Sequence, residues 1–180
     1  PTWVKSKADA DKLKAQTLNA RSETVFEKPS FRTSVIHNRC LVIADGFYEW
    51  MDFQKKKYPH YIHLKNKELF CFAGIYASWT DRETGEHINS FSILTTDANP
   101  MMARIHNSKQ RMPVILPPDQ YKKWLTPGLS KEEIGSFFKP YPESEMKAFT
   151  ISKRITSRTQ DPNVPETMEP FIYPELALAE

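Results

Sequence analysis

The chain has 180 residues, 39% hydrophobic and 26% charged, which suits one globular domain with a proper core. It contains no run of about 18 apolar residues, which excludes a membrane-spanning helix, and only five glycines, with no Gly-rich phosphate loop to cradle a nucleotide cofactor. The net charge of +3 is uneven: residues 156–180 carry −4 and residues 1–155 carry +7, a distribution suited to a polyanionic partner.

The opening PTWVKSKADADK has no apolar h-region, so no secretory signal is expected. Residues 7–17, KADADKLKAQT, predict a short helix, and NARSETVFEKP at 19–29 has no clear period and predicts a structured loop. Residues 29–38, PSFRTSVIHN, start on a proline suited to a first helical turn and space Phe31, Val35 and Ile36 helically. CLVIADGFYEW, 40–50, predicts two strand pieces around an Asp-Gly kink, and MDFQKKKY a polar turn. PHYIHLK alternates Tyr61 and His63 against Ile62 and Leu64 as a second strand, and ELFCFAGIYASW is long and apolar enough for a central one. DRETGEH predicts a hairpin loop, and INSFSILTTDAN a strand ending in a turn signal. MMARIHNSKQ predicts a short helix or turn leading into a loop, and RMPVILP a strand entered through Pro113. PPDQYKKWL and KEEIGSFFK predict helices, and MKAFTISK a last strand. The sum is α+β, mainly antiparallel and barrel-like sheet with short peripheral helices. One domain is expected over residues 1–155. Residues 156–180, with four prolines between 158 and 174, are expected as an extended acidic tail.

Three polar stretches interrupt this structural pattern. In GFYEW, alternation puts Glu49 on the same strand face as Phe47 and Met51. A carboxylate desolvated there has its pKa raised, which suits acid/base work near neutrality; the alternative is an edge-strand Glu facing water or an Arg. His106 follows Ile105 and opens a basic loop, where an imidazole can shuttle protons or serve only as a satisfied surface residue. In NARSE, Arg21 offers a planar fork for phosphate and Asn19 a donor and an acceptor, unless the loop uses them for itself. Trp3 among Lys5 and Lys7 is either a stacking platform or an anchor into the core. His60 and His63 fall on opposite strand faces and make no metal pair. Cys40 and Cys71 sit in apolar runs as small core residues in a reducing compartment, without zinc-ligand spacing, so neither metal nor cofactor is expected.

NARSET at 19–24, ADGFYEW at 44–50 and TTDAN…IHNSKQRMPVIL at 95–116 occur together in this order. The combination, running from about Trp3 to about Ile155, resembles the SRAP family, named for SOS response-associated peptidase. The resemblance implies recognition of abasic sites in single-stranded DNA. It also implies a covalent DNA–protein crosslink, in which an N-terminal cysteine closes a thiazolidine on the sugar aldehyde. On matching motif positions the catalytic residues are Asn19, Glu49 and His106, expected to converge in one cationic cleft. Arg21 and Arg111 match basic positions near the DNA backbone, and Trp3 a tryptophan beside the DNA path. Two departures stand out. The chain opens on PTWV without that cysteine or the family's first segment. And HNSKQRMP replaces the usual His-Asp-Arg-Met-Pro, lengthening the loop by three residues. Two other readings remain open: a cysteine-type, self-processing peptidase, and a non-catalytic module for single-stranded or modified-base DNA. A monomer is expected, in the cytoplasm near the nucleoid of a prokaryote or in a eukaryotic nucleus. The acidic tail is read as a nucleic-acid mimic that masks the basic face.

Overall fold

The computed structural model describes residues 3–177. In chain order its elements are α1 (Lys7–Gln16), β1 (Asn19–Arg21), α2 (Arg32–His37), β2 (Arg39–Ala44), β3 (Phe47–Phe53), β4 (Lys56–Leu64), β5 (Phe70–Thr80), β6 (His87–Asp97), α3 (Pro100–Ile105), β7 (Arg111–Pro113), β8 (Ile115–Leu116), α4 (Tyr121–Leu125), α5 (Lys131–Gly135), β9 (Met146–Thr150) and α6 (Pro174–Ala177). They gather into two compact units. The first takes the chain up to Ala44, Phe70–Asp97 and Met112–Tyr141; the second takes Asp45–Leu69, Ala98–Arg111 and the chain from Pro142. The class is α+β, as the sequence predicts.

The first unit is built on a curled six-stranded sheet, main path β1-β6-β5-β2, with β7 on β6 and β8 on β5. The apolar run Phe70–Ile75 is buried throughout, which is why it occupies the centre of the sheet, between β2 and β6. Ala20, Val25, Val35, Leu94, Trp124 and Ile134 close the core without exposure. Trp124 packs edge-on to Phe137, centroids 5.3 Å apart, and donates its indole N–H to the Cys40 carbonyl at 2.9 Å. Arg39 is buried beside it, its guanidinium donating to the carbonyls of Val35, Ile36, Trp124 and Thr126, which meets the cost of taking that charge out of water. The helices are short and locally capped: Ser6 accepts from the Asp9 amide, and Ser130 with Glu133 forms a reciprocal capping box.

Two expectations change here. The loop expected at 19–29 begins with the strand β1, paired in parallel with β6 through Asn19↔Ile93 and Arg21↔Thr95. Three residues with only the central one, Ala20, buried carry no readable period. The strand expected over RMPVILP divides into β7 and β8, with Val114 between them donating to the Leu94 carbonyl at 2.8 Å.

The second unit holds a three-stranded antiparallel sheet, β3-β4-β9. The polar turn contracts to Gln54 and Lys55, both left-handed at φ 47° and 62°, as a tight hairpin requires, so Met51–Phe53 and Lys56–Tyr58 are paired strand. Asn99 caps α3 by accepting from the Met102 amide at 2.8 Å, and Pro100 opens its first turn.

The stretch from residue 156 is not extended where it is described. It folds through a 3₁₀ turn at Pro165–Met168 and pairs Pro170 with Ile151. Tyr173 then lies edge-on to Tyr58, centroids 5.0 Å apart, its hydroxyl donating to the Ile151 carbonyl. Lys153 sits over both rings, and Tyr58 donates to Glu175 at 2.9 Å. One buried aromatic and its polar tip outweigh what the prolines and acids imply. Glu180, counted among the tail's acids, lies outside the described residues.

Truncating Trp124→Ala is expected to cost about 3–5 kcal/mol, read as a lowered urea midpoint. Trp124→Phe keeps an aromatic ring but removes the indole donor to the Cys40 carbonyl, which stays in the β2–β5 ladder, and is expected to cost about 0.5–1.5 kcal/mol.

Candidate functional site

The site is built on one face of β3. Alternation puts Phe47, Glu49 and Met51 together, and the antiparallel register sets them opposite Ile62, His60 and Tyr58 of β4. Ile62 and Tyr58 are fully buried, so Glu49 leaves the sheet among apolar neighbours, its side chain 23% exposed. Burial pushes its carboxyl above the ordinary carboxylate range. The charges of His106, Lys109 and Lys57 and the Trp50 amide pull the other way and do not prevail.

His106 follows α3 and turns its ring toward Glu49. Its Nδ1 lies 2.9 Å from the Arg111 carbonyl and 3.6 Å from Glu49 Oε1. A carbonyl only accepts, so the neutral ring carries its proton on Nδ1 and leaves Nε2 with the lone pair. The longer loop makes this geometry by doubling back. Gln110, left-handed at φ 51°, donates to the His106 carbonyl at 2.7 Å and accepts from the Ala98 amide at 3.0 Å. The Arg111 carbonyl is thereby brought to the imidazole.

Asn107 ties the loop to the strand that carries Glu49. Its side-chain amide donates to the Asp52 carbonyl at 2.8 Å and accepts from the Asp52 amide at 3.1 Å, as a neighbouring strand would. Sequence reasoning missed Asn107, because the hydrogen bond it makes is 55 residues away. It also missed His60, directly opposite Glu49. His60 is buried, its Nδ1 is 3.0 Å from the Tyr58 carbonyl, and burial pushes its pKa down, favouring the neutral ring. The signal existed: a turn centred on Gln54–Lys55 puts residue 60 opposite 49. That turn lacks the Asn-Gly or Asp-Gly that would have located it.

The remaining sequence candidates lie in the first unit or on backbone contacts. Asn19 and Arg21 are the two exposed ends of β1. Trp3 is 54% exposed, donates to the Pro29 carbonyl at 3.4 Å, and lines a depression of about 400 Å³ with Lys5, Asp9, Lys12 and Leu13. Arg111 is half-buried, and its carbonyl holds His106. The structure therefore joins Glu49, His106 and the Arg111 backbone in the second unit. Among the described residues no three His, Cys, Asp or Glu cluster to hold a metal ion.

The comparisons agree on one family. The family described as SOS response associated peptidase (SRAP) matches residues 1–158. The abasic site processing protein YoqW of Bacillus subtilis (strain 168) is 39% identical over 94% of this chain and 72% of its own length. The abasic site processing protein HMCES of Xenopus tropicalis is 33% identical over 69% of this chain, which spans 42% of that protein. A crystal structure of a protein from Bacteroides thetaiotaomicron superposes with a TM-score of 0.91 at 42% identity, over 96% of this chain and 73% of that one. The matched motifs carry both Glu49 and His106, and the chain belongs to the SRAP family.

Proposed function

We propose that the protein processes abasic sites in single-stranded DNA by assisting a covalent crosslink to the ring-opened sugar. The observation that carries this reading is the half-buried Glu49–His106 pair, 3.6 Å apart, with the acid's pKa raised and the imidazole's Nδ1 committed to a carbonyl. An abasic sugar in its open form presents an aldehyde. A terminal amine adds to that carbon, giving a carbinolamine. Loss of its hydroxyl as water needs a proton donor, which a carboxyl kept partly protonated supplies. The resulting imine takes up a thiol at the same carbon, so aldehyde and aminothiol give a thiazolidine and one water. Nε2 of His106 is the base that moves protons on the sugar side and assists slow reversal. Asn19 orients the amine or the sugar. Trp3, Arg21, Arg111 and the +7 body hold the strand, through contacts that weaken with salt. Such a substrate places the protein in the prokaryotic cytoplasm or the eukaryotic nucleus.

Neither Cys40 nor Cys71 carries a free α-amine, so neither closes that ring. Burial also pushes the Cys40 thiol up, leaving little thiolate at neutral pH, which weighs against a cysteine peptidase centred on it.

The sign of the Glu49 shift has a stability consequence. Its folded pKa lies above its unfolded one, so ionisation costs the folded state more than the unfolded. The penalty is absent below the unfolded-state carboxylate range, about 4.3, and grows as pH rises through the folded value. Glu49→Gln is always neutral. Its stability relative to the parent is therefore expected to rise between pH 4 and pH 7.5 in urea titrations. A relative stability that falls instead means that the His106 charge outweighs burial.

The functional test uses the complete polypeptide and a single-stranded oligonucleotide with one abasic site, read on a denaturing gel. A retarded band is expected, formed about 10²–10⁴-fold more slowly by Glu49→Gln and His106→Ala. Binding with no band surviving denaturant would instead identify a non-covalent DNA module.

A further inference from the structure

The three-stranded sheet of the second unit has a second face that the chemistry above does not use. Alternation turns Tyr48, Tyr61, His63, Phe149 and Lys147 away from Glu49, and the register places them side by side through Tyr48↔Tyr61, Tyr61↔Phe149 and His63↔Lys147. The C-terminal stretch and the His106 loop engage Tyr58 and Asp52 without bonding to these rings. The rings form a continuous patch. Tyr61 stacks on His63 at 5.6 Å with 28° between planes, and meets Tyr48 at 5.5 Å and Phe149 at 5.7 Å. A depression of about 290 Å³ opens on it, lined by Asp45, Tyr61, His63, Lys67 and Phe149.

The chemistry of the rim narrows the occupant. Lys67 lines the depression and Lys147 stands opposite His63, both exposed, and among the described residues neither is in an ion pair with a carboxylate. Asp45 is the acid of the depression, close enough to Tyr48 and Tyr61 to help push their phenols up. A carboxylate there repels phosphate but accepts from the amino edges of bases. Bases therefore belong on the rings and phosphates on the surrounding ammonium groups, the arrangement by which single strands are held without sequence readout. Gly46 suits the same use: a side chain there would collide with the ring of Tyr61.

We propose that this aromatic and basic face is a second contact for single-stranded DNA, stacking one or two bases on Tyr61 and Phe149 and holding their phosphates with Lys67 and Lys147. It rests on the reading of single-stranded DNA as partner, and is tested separately from the crosslink. The probe is an undamaged, fluorescein-labelled (dT)20 titrated with the complete protein and followed by anisotropy. Two double variants are compared with the parent. Lys67→Glu with Lys147→Glu leaves rings and core intact and is expected to weaken binding at least tenfold, with a log–log salt slope reduced by about 1.4. Tyr61→Ala with Phe149→Ala, checked for parental circular dichroism, is expected to weaken it about tenfold or more. On a short abasic oligonucleotide both are expected to crosslink at the parental rate. Parental affinity for (dT)20 in the lysine variant overturns the proposal whatever the crosslinking result. A parent that binds (dT)20 but forms no crosslink refutes the chemistry proposed for Glu49 and leaves the second contact standing or falling on the two variants.

Discussion

A carboxylate held among apolar neighbours 3.6 Å from an imidazole is the constraint around which the second unit is organised. Two opposite charges about 4 Å apart gain about 4 kcal/mol at an effective dielectric of 20. Taking a carboxylate out of water costs several kcal/mol. Partial exposure discounts both, and terms this well matched leave the decision to geometry. Here the Arg111 carbonyl is closer to Nδ1 than the carboxylate is, so the ring's proton is engaged elsewhere and burial prevails at Glu49. A loop that delivered His106 at hydrogen-bond distance from Glu49 would produce an ordinary ion pair and an ordinary, ionised acid.

The long loop therefore does chemical as well as connective service. Gln110 accepts the left-handed conformation that reverses the chain, and Asn107 imitates a strand partner along Asp52. Together with the buried Met102 and Ile105 of α3, which precede it, they fix the position of His106 relative to β3. The C-terminal stretch closes the same face further along, over Tyr58, through Tyr173 and the ammonium of Lys153.

What was legible in the sequence was legible for physical reasons. The run through Phe70–Ile75 announced a buried central strand because it lacks polar alternation. The turn signal at the end of INSFSILTTDAN and the short helix or turn read in MMARIHNSKQ fall on α3, where Asn99 fills the cap and Pro100 the first turn. Glu49 stood out because an acid between aromatics contradicts its surroundings, and that contradiction persists in the fold. The parts that were not legible depend on pairings distant in the chain. Ala20 gives no sign that its strand pairs in parallel with β6, and Gln54–Lys55 hides a hairpin behind residues poor at left-handed turns. His60 becomes a neighbour of Glu49 only once that hairpin is placed, and Tyr173 anchors a stretch whose composition argues for disorder.

The second unit is assembled from three separated stretches of chain, interleaved with those of the first. Its order of synthesis follows from that. The strand bearing Glu49 leaves the ribosome early, His106 more than 50 residues later, and β9 and Tyr173 near the end. Until those arrive, Tyr58 lacks the cover that Tyr173 provides and Ile62 lacks its β9 partner, so the burial that raises the Glu49 carboxyl is incomplete. The dry side of Glu49 is thus the last part of its surroundings to be completed, when the C-terminal turn docks on Tyr58.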